Sequence, residues 1–179
     1  MDQSRFWQLI DGSIAESNGD PDTQLDVLGE SLRQLPVDEI IGFQQQLDTC
    51  LNLAYTWDLW GASSLLNSGG SEEAFEAFRG WLVAHGSEIF NGALSNPDTL
   101  AEVTDPEVDG YEFEEFLHLP HEIFEEMTNE EASLETAVPA PAAPAGEKWD
   151  FEDPAEASQR LPQIFQQIEE HRKLSVTSA

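Results

Sequence analysis

The amino-acid sequence predicts an all-α protein: a compact helical bundle around a central Trp-rich helical hairpin, with a linker and a C-terminal helical arm. Three observations predict it. Apolar residues recur at spacings of three and four through most of the first 130 residues, the period of an amphipathic helix. Helix-start and helix-stop residues stand where that pattern breaks. The stretch Trp57–Gly86 holds three of the five tryptophans and the most continuous apolar run, divided by the turn formers Asn67-Ser68-Gly69-Gly70.

In order, Ser4–Ser17 reads as a helix whose apolar face is Phe6, Trp7, Leu9, Ile10 and Ile14, stopped by Asn18-Gly19. Asp20 is placed to cap the next helix, with Pro21 in its first turn, where the missing N–H costs nothing. Leu25, Leu28, Leu32 and Leu35 form its seam. Pro36 opens a third helix, with Asp38 and Glu39 at the positive end of the helix dipole. Ile40, Phe43, Leu47, Cys50, Ala54 and Trp57 carry the spacing onward, which predicts a long helix. Past Leu53 no polar face remains, so Leu53–Leu66 is expected to be buried on all sides. Gly61 costs about 1 kcal/mol relative to Ala in mid-helix, so it implies close approach of another helix or a break.

Ser71 can cap the second arm of the hairpin, where Ala74, Phe75, Phe78, Trp81 and Leu82 give the inward stripe. His85-Gly86 reads as a glycine C-cap, Ser87 as the cap of a short helix to Leu94, and Asn96-Pro97-Asp98 as a turn into a brief helical stretch. Tyr111–Met127 predicts a helix bent or divided by Pro120. These elements make a helical domain over 1–130. An acidic, Pro/Ala-rich linker follows over 131–147, then an arm over 148–179. Trp149, Phe151, Leu161, Ile164, Phe165 and Ile168 are expected to dock the arm in part, with Asp153-Pro154 as a cap and Ser175–Ala179 frayed.

Charge is the compositional outlier. Seven Lys and Arg face 36 Asp and Glu, a formal net charge of −29, and residues 80–147 contain sixteen acids without one Lys or Arg. Such a field repels phosphate backbones and anionic lipid, which argues against direct nucleic-acid or membrane binding and favours a basic protein partner. The single cysteine, Cys50, rules out an internal disulfide, suits a reducing cytoplasm and lies in an apolar pattern as an inert core thiol. The N-terminus does not read as a signal peptide, and no window approaches the ~18 apolar residues of a membrane span. A cytoplasmic location is expected.

Asp58 and Arg79 are the charges set deepest in apolar sequence, on opposite arms of the hairpin. If the arms close at the glycines, the two side chains meet. They then form either a staple fixing helix register or an anion pocket, walled by Trp57, Trp60 and Trp81 and flanked at its mouth by Glu72 and Glu73. His118 and His121, with Glu114, Glu115 or Glu122, are weak metal candidates, because HLPH puts proline between the ligands. No phosphate loop, catalytic triad or paired-cysteine motif is present, no cofactor is implied, and the chain leans away from an enzyme.

With Phe6-Trp7-Gln8-Leu9-Ile10, Trp57-Asp58-Leu59-Trp60-Gly61-Ala62, Phe78-Arg79-Gly80-Trp81-Leu82 and Pro97-Asp98, the chain resembles a bacterial domain-of-unknown-function family, number 4240 in its series. The resemblance runs from about Phe6 to Met127, and Trp149-Asp150 and Leu161-Pro162 are similar to the family's C-terminal extension. It implies no established activity. Where relatives often have Cys-Ser-Asp-Asp-Gly, this chain has Gly70-Ser71-Glu72-Glu73-Ala74, which keeps the acids and loses the thiol. Some relatives carry a tryptophan-glycine-arginine domain, a link to regulatory or nucleic-acid settings that this sequence does not share. The expectation is a binding or regulatory module with an acidic face. The alternatives are an enzyme or small-anion sensor built on Asp58 and Arg79, or an immunity-type inhibitor of a basic protein.

Overall fold

The computed structural model describes residues 1–67, 69–108, 110–129, 134 and 136–177, of which 175–177 are described as backbone only. The expectations for Ser68 at the hairpin corner, for most of 130–135 and for the final two residues lie outside that set. The described residues form helices α1 (Gln3–Ser17), α2 (Pro21–Arg33), α3 (Val37–Leu53), α4 (Trp57–Leu66), α5 (Glu72–Ala84), α6 (Gly86–Ser95), α7 (Glu114–Thr128), α8 (Pro154–Arg160) and α9 (Pro162–Thr177). A 3-10 segment, Pro97–Glu102, follows α6.

Local chemistry accounts for most boundaries. Asp2, Asp20, Thr56 and Ser71 each accept a hydrogen bond from a backbone N–H in the first turn that follows. Asn18 and Asn129 end α1 and α7 in the left-handed conformation that asparagine tolerates. Three boundaries differ from the sequence expectation. The third helix stops at Leu53, because the Thr56 cap starts α4 afresh. Ser87 does not cap α6. Its N–H and hydroxyl are instead taken by the Asp11 carboxylate, 3.1 and 3.0 Å away on α1. The α7 helix begins at Glu114 rather than Tyr111, and Pro120 sits inside it without dividing it.

One core cluster joins Phe6 and Ile10 of α1, Leu28 and Leu32 of α2, Phe43 and Leu47 of α3, Phe75 and Phe78 of α5, and Phe116 and Ile123 of α7, all fully buried. The hairpin helix α5 touches α3, α4, α6 and α7, while α7 is clasped by α2, α3 and α5. Gly80 explains how closely α7 comes. A Cβ there would lie 2.9 Å from the Phe113 carbonyl and the Leu117 side chain. An aromatic ladder crosses the hairpin: Trp57 stacks on Trp60 (5.4 Å between centroids), Trp60 on Phe75 (4.9 Å), then Phe75 on Phe78 and Phe78 on Trp81.

The stretch Leu53–Leu66 is not buried on all sides: Leu53 and Asp58 are about half exposed and Trp57, Trp60, Leu65 and Leu66 only partly buried, and the C-terminal segment supplies part of the cover of α4. Ala145 exchanges backbone hydrogen bonds with Tyr55 and Trp57, and the Asn52 amide donates to the Pro139 carbonyl. Trp149 is buried against Gly61, and Leu161 and Ile164 enter the core. The Asp98 carboxylate, 3% exposed on the 3-10 segment, accepts from the backbone N–H groups of Gln163 and Ile164 (2.9 and 3.0 Å). Pro162 therefore starts α9, and the cap of that helix comes from a different part of the chain.

Candidate functional site

The residues Glu72, Glu76 and Arg79 stand four and three apart on α5, so they share one face of that helix. That face looks onto the end of α3. Between them lies a groove of about 570 Å³ lined by Asp48, Leu51 and Asn52 of α3, by Tyr55 at the α3–α4 break, and by Glu72, Glu73, Glu76 and Arg79. Val138, Ala140 and Pro141 form its remaining wall. The Thr136 hydroxyl, donating to Asp48, holds that wall on α3 together with the Asn52 bond.

Arg79 is fixed within the groove rather than free in it. Its Nη1 donates to the Leu51 carbonyl at 3.0 Å, and its guanidinium lies over the rings of Tyr55 (4.8 Å) and Phe75 (5.1 Å). Its Nε is buried without a hydrogen-bond partner among the described residues. Burial pulls Arg79 below the ordinary arginine value, with Glu76, Tyr55 and Glu72 pulling it back up. The Tyr55 hydroxyl donates to Glu72 at 3.3 Å, and burial followed by the Glu72 charge pushes its phenol up. The groove thus carries four carboxylates against one cation that already rests on two rings and gives one N–H to a carbonyl.

Asp58 and Arg79 do not form the expected pair among the described residues. Asp58 instead accepts from Nη1 of Arg160 at 3.0 Å, and the same guanidinium reaches Glu147 at 2.9 Å. Asp58 is 46% exposed and ties the C-terminal arm to α4. Glu72 and Glu73 do flank Arg79, as the sequence suggested, but Asp58, Trp57, Trp60 and Trp81 are not in the groove lining. Trp57 and Trp60 belong to the aromatic ladder, with Lys148 Nζ 5.0 Å from the Trp57 ring centre, and Trp81 lines a separate cavity. Asp48, Tyr55 and Glu76 were missed. The four-three spacing of Glu72, Glu76 and Arg79 was the available signal, whereas nothing local announces Asp48.

The two metal candidates point to different partners. His118 faces Glu114 (3.5 Å), and His121 faces Glu125 (3.2 Å) while accepting from the Leu134 N–H. Among the described residues no group of three or more His, Cys, Asp or Glu is arranged to hold a metal ion. Nor is any helix among them long and apolar enough to cross a membrane.

The model of the family described as protein of unknown function DUF4240 matches residues 1–126. The chain belongs to that family. No curated protein and no solved structure matches it significantly. The DUF4240 segment supplies α1 to α6, the 3-10 segment and nearly all of α7. The groove around Arg79 therefore combines a DUF4240 floor and sides with a wall from residues 138–141, beyond the family match.

Proposed function

We propose that the protein is a cytoplasmic binding or regulatory module that takes basic side chains of a partner protein into the acidic groove between α3 and α5. One observation carries this reading: Asp48, Glu72, Glu73 and Glu76 line a single groove whose one arginine is already held by Leu51, Tyr55 and Phe75. A lysine or arginine entering it meets carboxylates on two helices, the charge complementarity that recognises cations. An immunity-type inhibitor of a basic protein is one form this activity can take.

The test is titration of the full chain with an oligolysine peptide by calorimetry at low and high salt. Affinity is expected to fall steeply with salt, and to fall again when Glu72, Glu73 and Glu76 are all changed to Gln. Equal binding by that triple variant overturns the proposal. A second reading, a small-anion sensor, is favoured only by the unpartnered Nε of Arg79. It predicts that inorganic phosphate raises the melting temperature and that Arg79→Lys abolishes the rise, and the surrounding carboxylates oppose it.

A further inference from the structure

Away from that groove, α1, α2, α5 and α6 enclose a second cavity of about 470 Å³ with the segment entering α7, a volume typical of small-molecule sites. All of its lining falls between Ile14 and Glu115, inside the family-matched segment and independent of the C-terminal arm. We propose that this cavity binds a primary organic ammonium ion carrying an aromatic or aliphatic body, held between the Trp81–His85 wall and the carboxylates of Asp22, Glu112 and Glu115.

The body of such a ligand has an apolar lining to fill. Ile14, Trp81, Ile89 and Phe113 contribute it, and Trp81 is held rigidly by Phe78 on one side and Tyr111 on another. Gln24 is buried and donates to the Ala84 carbonyl at 2.7 Å, which ties α2 to the end of α5 and fixes the shape of the cavity.

The polar groups select the head. His85 Nδ1 lies 2.8 Å from the Trp81 carbonyl, and a carbonyl only accepts, so Nδ1 carries the proton. In the neutral ring Nε2 is then an acceptor, and burial does hold this imidazole below its ordinary value, toward the neutral form. An N–H of an ammonium ion matches it, whereas a carboxylate or phosphate does not. Asp22, Glu112 and Glu115 are exposed around the same cavity, and no Lys or Arg lines it. The C-terminal ends of α1 and α5, at Ser17 and Ala84, also reach it and add partial negative charge. The first turns of α2, α6 and α7 begin there as well, but each carries its own carboxylate, Asp22, Glu88 and Glu115.

The full chain, labelled with 15N, is titrated with 2-phenylethylammonium, and in parallel with the neutral 2-phenylethanol and the anionic phenylacetate. The ammonium ion is expected to move the Trp81 indole and His85 ring resonances and to bind at least about tenfold more tightly than the alcohol at low salt. The exposed double variant Glu112→Gln with Glu115→Gln should keep the fold and narrow that gap. Filling the cavity with Ile89→Phe should abolish all three responses. Equal binding of ammonium ion and alcohol, tighter binding of phenylacetate, shifts elsewhere in the chain, undiminished binding by Ile89→Phe, or no response at millimolar probe would each overturn the proposal. These outcomes leave the oligolysine titration untouched, because the two sites share no residue.

Discussion

A Cβ on Gly61 would stand 2.0 Å from Cζ2 of Trp149, so the indole of the C-terminal arm occupies the space that any larger residue at 61 needs. Gly61 gives up helix propensity in the middle of α4, and the contact that compensates comes from a residue 88 positions along the chain. In an isolated helix Gly61→Ala stabilises by about 1 kcal/mol. Here it is expected to destabilise, because Trp149 must leave its seat. Trp149→Ala should cost about 3–5 kcal/mol, as large aromatic truncations in cores do. Urea unfolding measures both, and limited proteolysis should show earlier cleavage between 136 and 153 in each variant. A Gly61→Ala protein as stable as the parent would show that the arm is not held there.

Asp98 caps α9 from outside it, and the prediction concerns which residues feel its loss. Its carboxylate accepts from two backbone N–H groups and from the Gln163 amide at 3.1 Å. Asp98→Ala leaves those donors without a partner beside a buried Ile164, which costs about 1–3 kcal/mol for a buried donor. Asp98→Asn retains one acceptor and should fall between. Hydrogen exchange at the Gln163 and Ile164 amides is expected to accelerate before that of α1 or α3. Uniform acceleration across the chain would mean that α9 and the bundle unfold as one unit.

The sequence made the helices legible because period, caps and breakers are local properties. Asp20-Pro21, Asn18-Gly19 and Ser71 each acted as their chemistry predicts. Gly61 was legible as a close approach, though not as an approach by an indole. The charge pairing was not legible. Asp58 finds Arg160, 102 residues away, because the arm returns along α4, and no local pattern encodes that return. The break at Ala54-Tyr55 hid the groove as well. A helix continuous through Trp57 would have kept Tyr55 in the middle of a rod instead of placing it beside Arg79.

Cys50 is 2% exposed, and burial pushes its thiol up to about 12. In the unfolded chain the same thiol ionises near pH 8.5. The folded state therefore holds its proton after the unfolded state has lost it. That contribution to stability is fully present below about pH 8.5 and is lost as pH rises toward 12. Tyr55 and Tyr111 are raised too and act in the same direction. Comparison with Cys50→Ala isolates the thiol, and the variant should lose stability with pH less steeply between pH 9 and 11. At pH 8 the native chain should react with a disulfide reagent only as fast as it unfolds. Immediate stoichiometric reaction would contradict the burial.

His85 titrates in the opposite sense. Burial lowers its imidazole below the ordinary value, and the hydrogen bond to Trp81 opposes this without reversing it. Asp22, Glu112 and Glu115 around the same cavity also favour the charged ring, yet the net direction is down, so desolvation wins. The unfolded chain binds its proton as pH falls through about 6.5, while the folded chain still refuses it. The contribution of His85 to stability is therefore complete above about pH 6.5 and declines as pH drops below it, by at most about 1.4 kcal/mol per pH unit for one proton. Unfolding free energies at pH 8, 7, 6 and 5.5 measure that slope. Gln can replace the donor to Trp81 without a titrating ring, so His85→Gln should flatten the profile in this window. An unchanged slope in the variant would assign the pH dependence to other groups and leave His85 as a neutral spacer against Trp81.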